Sequence, residues 1–309
     1  MTRNSHRASI LAIAVLTTLT TMALAPGVGA TFPDRNGLIA FQADLGDNGQ
    51  QIFTIRSNGH ELTQITHIDG LAAAPDWSPD GRQIAFTLND CAIALMDADG
   101  GNLHVIASDP DPDLCLGDAS FTPDGARLVY TRIDFALEAG QIWSMKIDGS
   151  DQQFITDAGD VDPNVSPDGQ KISFKGPPDG ALFVANIDGS GIVQVSPSIS
   201  VSYKHDWAPD GQHLVVSDDS DPGPDEAANV VTVRPDGSDW TYLTHYPAGF
   251  RAFAGGYSPD GQWIVFRLVG PGVLPTMYRI RPDGTDLHRL FASPTLITRN
   301  LDWGPAARH

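Results

Sequence analysis

Short apolar runs recur along this chain at a nearly constant interval, each bounded by polar turn residues. The triplets at 39–41 (IAF), 84–86 (IAF), 128–130 (LVY), 172–174 (ISF), 214–216 (LVV) and 264–266 (IVF) lie 45, 44, 44, 42 and 50 residues apart. All but the first stand behind copies of one phrase. DWSPDGRQIAF at 76–86 returns as SFTPDGARLVY, NVSPDGQKISF, DWAPDGQHLVV and GYSPDGQWIVF. An active site needs one such constellation, so five copies describe a structural unit.

The unit at 74–107 divides into four strand-length segments: APDWS (74–78), RQIAFTL (82–88), AIALMD (92–97) and NLHVIA (102–107). Ser78-Pro79-Asp80-Gly81 places Ser, a φ-restricted Pro and Gly where a type I turn takes them. Pro123-Asp124-Gly125, Pro167-Asp168-Gly169, Pro209-Asp210-Gly211 and Pro259-Asp260-Gly261 repeat that turn. The second turn, ADGG here, returns as SNGH, IDGS, IDGS, PDGS and PDGT, the Asn-Gly and Asp-Gly hairpin signal. Because these aspartates recur in every unit, they are read as turn formers and not as catalytic acids. Four short strands with a period in the forties predict propeller blades.

The two ends complement each other. RNGLIAF (35–41) begins at a second strand, and NLDWGP (300–305) is a first strand with no second. Pairing them completes one blade and removes exposed sheet edges. The expected fold is therefore all-β, a six-bladed β-propeller of four-stranded blades closed by its C-terminal strand. The blades are expected near 37–67 plus 299–304, 74–108, 117–157, 161–196, 203–245 and 252–292, in one domain over 31–309.

DWSPDGRQIAF followed by AIALMDADGGNLHVIA resembles the WD40-like repeat called PD40, found in TolB-like propellers. FPDRNGLIAFQADLGDNGQQIFTIRSNG is likewise similar to the start of exported, propeller-only members. The resemblance implies the fold without specifying a chemistry. The chain departs from TolB itself, with no residues left for an N-terminal α/β domain, and it has no Gly-x-Ser-x-Gly nucleophile elbow.

Residues 1–30 read as an export signal, with Arg3 and Arg7 before an apolar run and small residues at Val28 and Ala30. That places the protein in a periplasm or outside the cell, with no transmembrane segment after cleavage. The formal charge of −19 would become two units more negative with the loss of those arginines, which disfavours nucleic acid as a partner. In an oxidising compartment the two cysteines, Cys91 and Cys115, are expected to pair.

In a propeller the 1–2 and 3–4 turns share one face, and the 2–3 and inter-blade loops share the other. The first face here is uniform. The second varies in length and composition, carries both cysteines, and is the expected binding face. Acidic loops on it include Asp109, Asp111 and Asp113, and the segment with Asp218, Asp219, Asp221, Asp225 and Glu226; neither has EF-hand spacing.

Asp76, Asp206 and Asp302 precede the tryptophans of first strands, and Asn164 holds the same place in the fourth blade. Two readings stay open: bonding to the backbone of neighbouring blades, or convergence on a calcium ion in the channel. Trp77, Trp207 and Trp303, with Phe121 and Tyr257, are read as inter-blade packing. The expectation is an exported, non-catalytic monomer without a cofactor that binds a protein or cell-envelope ligand on the variable face. The competing expectation is a polysaccharide lyase or hydrolase at the channel mouth. Its candidate is His205, beside Asp206, Tyr203 and Lys204.

Overall fold

A computed structural model describes residues 35–46, 49–89, 91–137, 139–157, 161–177, 180–196, 201, 204–219 and 227–307. The expected leader, with Tyr203, Asp221, Asp225 and Glu226, lies outside the described residues.

Six four-stranded antiparallel sheets surround a channel. The first combines β1 (Asn36–Asp44), β2 (Gln50–Arg56) and β3 (Thr63–Gln64) with the last strand, β24 (Ile297–Pro305), in the order β24-β1-β2-β3. The second holds β4 (Ala72–Trp77), β5 (Gln83–Leu88), β6 (Ala92–Asp97) and β7 (His104–Ser108). The third holds β8 (Leu114–Phe121), β9 (Arg127–Asp134), β10 (Ala139–Lys146) and β11 (Gln153–Thr156). The fourth holds β12 (Val161–Val165), β13 (Lys171–Gly176), β14 (Ala181–Asn186) and β15 (Val193–Gln194). β16 (Asp206–Trp207), β17 (Leu214–Asp218), β18 (Asn229–Val233) and β19 (Thr241–Tyr242) make the fifth. β20 (Arg251–Tyr257), β21 (Ile264–Gly270), β22 (Val273–Ile280) and β23 (His288–Ala292) make the sixth.

Closure has the register expected from the chain ends: Trp303 pairs with Ile39 and Asp302 with Ala40. The apolar core lies in the wedges between blades. Ile39, Phe41, Met277 and Trp303 fill the closing wedge, while Ala40, Ile52, Trp77 and Phe86 fill the next. Trp77, Phe121, Trp207, Tyr257 and Trp303 are all buried, one in each of five wedges; Val165 takes the place in the remaining one. Packing of large flat side chains between twisted sheets is their role.

The repeated turns close as their sequences demand. Gly81 donates its N–H to the Ser78 carbonyl at 2.9 Å, and Asp80 accepts from the Ser78 hydroxyl and the Arg82 N–H. The second turns also set the distance between blades. Gly100 has φ of +88° and lies against the Ile65 carbonyl of the preceding blade, where any Cβ would collide with that oxygen.

Candidate functional site

The first strands β24, β4, β8, β12, β16 and β20, with the residues leading into β16, line the channel in two tiers of residues. The residue before the buried aromatic position forms the inner tier: Asp302, Asp76, Ser120, Asn164, Asp206 and Gly256. The residue three before it forms the outer tier, nearer the variable loops: Asn300, Ala74, Asp118, Asp162, Lys204 and Ala254.

The inner tier holds the ring together. Asp302 accepts from the Trp77 N–H at 2.8 Å, Asp76 from the Phe121 N–H at 3.0 Å, and Asp206 from the Tyr257 N–H at 2.8 Å. Asn164 instead donates to the His205 carbonyl at 3.1 Å. Each of these bonds crosses from one blade to the next, as the first of the two readings requires. Lys204 then reaches across the channel from the fifth blade. Its ammonium lies 2.7 Å from Asp302, 3.9 Å from Asp76 and 3.4 Å from the Pro75 carbonyl. A lysine ammonium thus lies beside two of the three candidate calcium ligands, Asp302 and Asp76. Among the described residues no three carboxylate, imidazole or thiolate groups converge as a metal-ion set.

Burial drives the electrostatics of this tier. The Asp76 carboxyl is pushed up to about 8 by burial and by repulsion from Asp302, which Lys204 only partly offsets. Asp206 is pushed up to about 7 by burial and again by Asp302. Burial alone would lower Lys204, but Asp302 and Asp76 outweigh it and hold its ammonium charged.

The outer tier is built on a distorted backbone. Ala74, Asp118, Asp162 and Asn300 have φ of +48°, +48°, +53° and +45°, and each occupies an irregularity in the pairing of its first strand with the second. Such bulges re-aim side chains, and Asp and Asn tolerate the left-handed region better than other residues with a Cβ. Second strands of the preceding blades anchor them. Gln42, Thr87 and Thr131 side chains accept the N–H of Ala74, Asp118 and Asp162 at 2.8, 3.0 and 3.0 Å.

Two bulges bring chemistry together. The Asp118 and Asp162 carboxyl groups are hydrogen-bonded to each other, and Lys175 is ion-paired with Asp162. Burial and the Asp162 charge push Asp118 well up, so it holds the shared proton. Burial would also raise Asp162, but Lys175 and its hydrogen bond outweigh that and hold it down as the carboxylate. His205 stands on the same cavity, only 2% exposed, and burial lowers it to about 4. Its Nε2 meets the Ser173 Oγ at 2.9 Å, while its Nδ1 has no partner.

Asp118, Asp162, Lys175, Lys204 and His205 line a channel cavity of about 130 Å³. A second cavity of about 260 Å³, bordered by Gln50, Thr87, Cys115 and Thr131, adjoins it on the variable face. Ala74, Asp118 and Asn300 border both cavities and form the throat between them. The disulfide forms between Cys91 and Cys115 as expected, with a Cα–Cα distance of 4.4 Å, and fixes the β5–β6 loop beside this mouth. The acidic loops are engaged elsewhere: Asp109 pairs with Arg132, Asp219 with Arg251, and Asp218 accepts from the Tyr242 hydroxyl.

Sequence reasoning singled out Asp76, Asp206, Asp302, Lys204 and His205, and the channel contains all of them. It missed Asp118, Asp162 and Lys175. A signal was present, since Asp118, Asp162 and Asn300 hold equivalent positions in three repeats, where a left-handed bulge selects Asp or Asn.

No family model matches the chain. An uncharacterized protein of Agrobacterium fabrum is 24% identical over 249 residues, which cover 78% of this chain and 64% of that protein. The match thus spans less than two thirds of that relative's length. The crystal structure of TolB from Acinetobacter baumannii superposes with a TM-score of 0.73 at 19% identity, covering 87% of this chain and 67% of that one. The oligogalacturonate lyase of Vibrio parahaemolyticus gives a TM-score of 0.56 at 16% identity, covering 84% and 75%. At these identities the likeness is one of fold: this chain is a six-bladed β-propeller, similar in fold to the part of TolB that it covers.

Proposed function

We propose that this chain is an exported, non-catalytic binding scaffold that takes a protein or envelope ligand on its variable-loop face, at the mouth of the channel. The contrast between the two faces carries this reading. Short, near-identical Asp-Gly turns form one face, and their carboxylates accept hydrogen bonds from their own backbone. The other face carries the 260 Å³ mouth, the strained throat and exposed apolar side chains on loops between second and third strands. Those side chains include Phe135 and Leu137, 53% and 71% exposed, and Leu274, 50% exposed, continues the patch at the start of β22. The disulfide fits an oxidising compartment, and the TolB likeness favours a scaffold.

A pull-down from envelope extract tests this. The wild-type chain should retain a partner, and trimming residues 218–228 or the substitution Leu137→Glu should lose it. An Arg82→Glu substitution on the opposite face should have no effect. Retention unchanged by the first two variants would refute the reading.

A second reading is a propeller enzyme. The proton-sharing Asp118–Asp162 pair near His205 favours it, since such pairs separate acid and base roles. Turnover of an acidic oligosaccharide, abolished by His205→Ala, would establish it; absence of turnover over a panel of such substrates would count against it.

A further inference from the structure

We propose that this chain associates with itself head to tail, the rim of the third blade on one copy docking against the rim of the sixth blade on the next, in open linear assemblies. The inference goes beyond the binding-face reading, because it concerns the rim of the ring and leaves the channel mouth free. In place of the monomer expected from the sequence it puts a concentration-dependent equilibrium.

Charge singles out the sixth blade. Residues 251–292 hold five arginines against three aspartates, and no other blade has more lysine and arginine than aspartate and glutamate in this chain of formal charge −19. Four of the arginines are engaged within the molecule. Arg251 pairs with Asp219 and Arg281 with Asp286, Arg279 donates to the Ser57 carbonyl and stacks on Trp263, and Arg267 is buried. Arg289, on the outermost strand β23, is exposed and makes no ion pair among the described residues. The third blade has the opposite balance, six acids against three bases over residues 114–156. Asp111 and Asp113 just before it and Asp157 just after it are exposed, without an ion pair among the described residues.

Apolar exposure singles out the same two blades. Among the described residues, Phe135, Leu137 and Phe154 are exposed on the third blade, and Val273, Leu274 and Leu287 on the sixth; no other blade exposes more than two large apolar side chains. Charge adjoins them on both rims. The Phe135 N–H donates to the Asp113 carbonyl at 2.8 Å, and Leu287 stands two residues before Arg289. Exposed apolar side chains bordered by charge mark interaction surfaces. Opposite charge favours the third blade meeting the sixth and opposes either rim meeting its own copy, so the contact is heterologous. The two blades lie three places apart in a ring of six, on opposite sides. Repeating the contact therefore extends a chain and does not close a dimer. Few exposed charges and small apolar patches make each contact weak and sensitive to salt.

Sedimentation velocity of the full chain over a dilution series tests this. At about 0.01 M salt the weight-average sedimentation coefficient should climb past the dimer value with concentration, and at about 1 M salt it should return to that of the monomer. Leu287→Glu/Arg289→Glu disables the rim of the sixth blade and Phe154→Lys/Asp157→Lys that of the third, so each variant alone should stay monomeric. Their equimolar mixture should form dimers and nothing larger, because each copy keeps one working rim. Should either variant misfold, the concentration and salt dependence of the wild type still decides. Trimming 218–228 at the binding face should leave the association unchanged. A wild type that is monomeric throughout or stops at a closed dimer, two folded variants that stay monomeric when mixed, or association lost on trimming 218–228 would each overturn the inference. So would a chain that is monomeric in solution and binds acidic phospholipid vesicles through Arg289, which assigns the sixth blade to a lipid surface.

Discussion

Replacing Asp76 with Asn should flatten the dependence of stability on pH between 6.5 and 8. In the folded chain Asp76 is pushed up from 3.8 to about 8 by burial and by Asp302. Above pH 3.8 the unfolded chain has released this proton and the folded chain still holds it. Unfolding therefore releases a proton, and stability falls as pH rises, until the folded group itself ionises near pH 8. Asp206, raised to about 7, acts in the same direction up to that pH, and so does Asp118. His205 acts oppositely. Lowered from 6.5 to about 4, it adds stability as pH rises between those values and is silent above them. The interval from 6.5 to 8 therefore isolates the carboxyls. One proton is worth about 1.4 kcal/mol per pH unit, so Asp76 should cost on the order of 1–2 kcal/mol across it, allowing for its own ionisation near the upper end. Urea unfolding at pH 6.5, 7.2 and 8 measures this. Wild-type stability should fall, and Asp76→Asn, whose amide oxygen still accepts the Phe121 N–H, should fall by roughly 1–2 kcal/mol less. Wild-type stability that is level or rising over this interval would refute the reasoning, as would an unchanged slope in the variant.

Three further outcomes are expected. Trp303→Ala removes a buried side chain from the wedge that closes the ring and should cost about 3–5 kcal/mol in chemical denaturation. Gly304→Ala drives a Cβ into the ring of Trp77 across the blade boundary, and should cost about 1–3 kcal/mol, read as a lowered Tm. Reducing Cys91–Cys115, which closes a loop of sequence separation 24, should cost about 3 kcal/mol, and a Cys91→Ser/Cys115→Ser chain should show the same loss without reductant.

The fold was legible because its cause is repetitive. A turn such as Ser78-Pro79-Asp80-Gly81 specifies its own geometry from four residues, and five copies fix both the period and the strand order. Ring closure followed from a mismatch in the chain ends, and the pairing of Trp303 with Ile39 satisfies it. The site was only half legible. Asp76, Asp206 and Asp302 drew notice through their tryptophan neighbours, yet their carboxylates serve the backbone of the next blade and Lys204. Asp118 and Asp162 stand forty-four residues apart in sequence, and meet because adjacent blades place equivalent bulges side by side. No local pattern encodes that meeting. It depends on the angle between two blades and on left-handed residues that interrupt otherwise regular strands. Those interruptions carry a backbone cost that wedge packing must offset, and they occur at the variable face, where the uniform turns do not. Strain of this kind is retained where it re-aims side chains, which is the physical reason to test the proposed binding role at the throat and not among the more numerous aspartates of the turns.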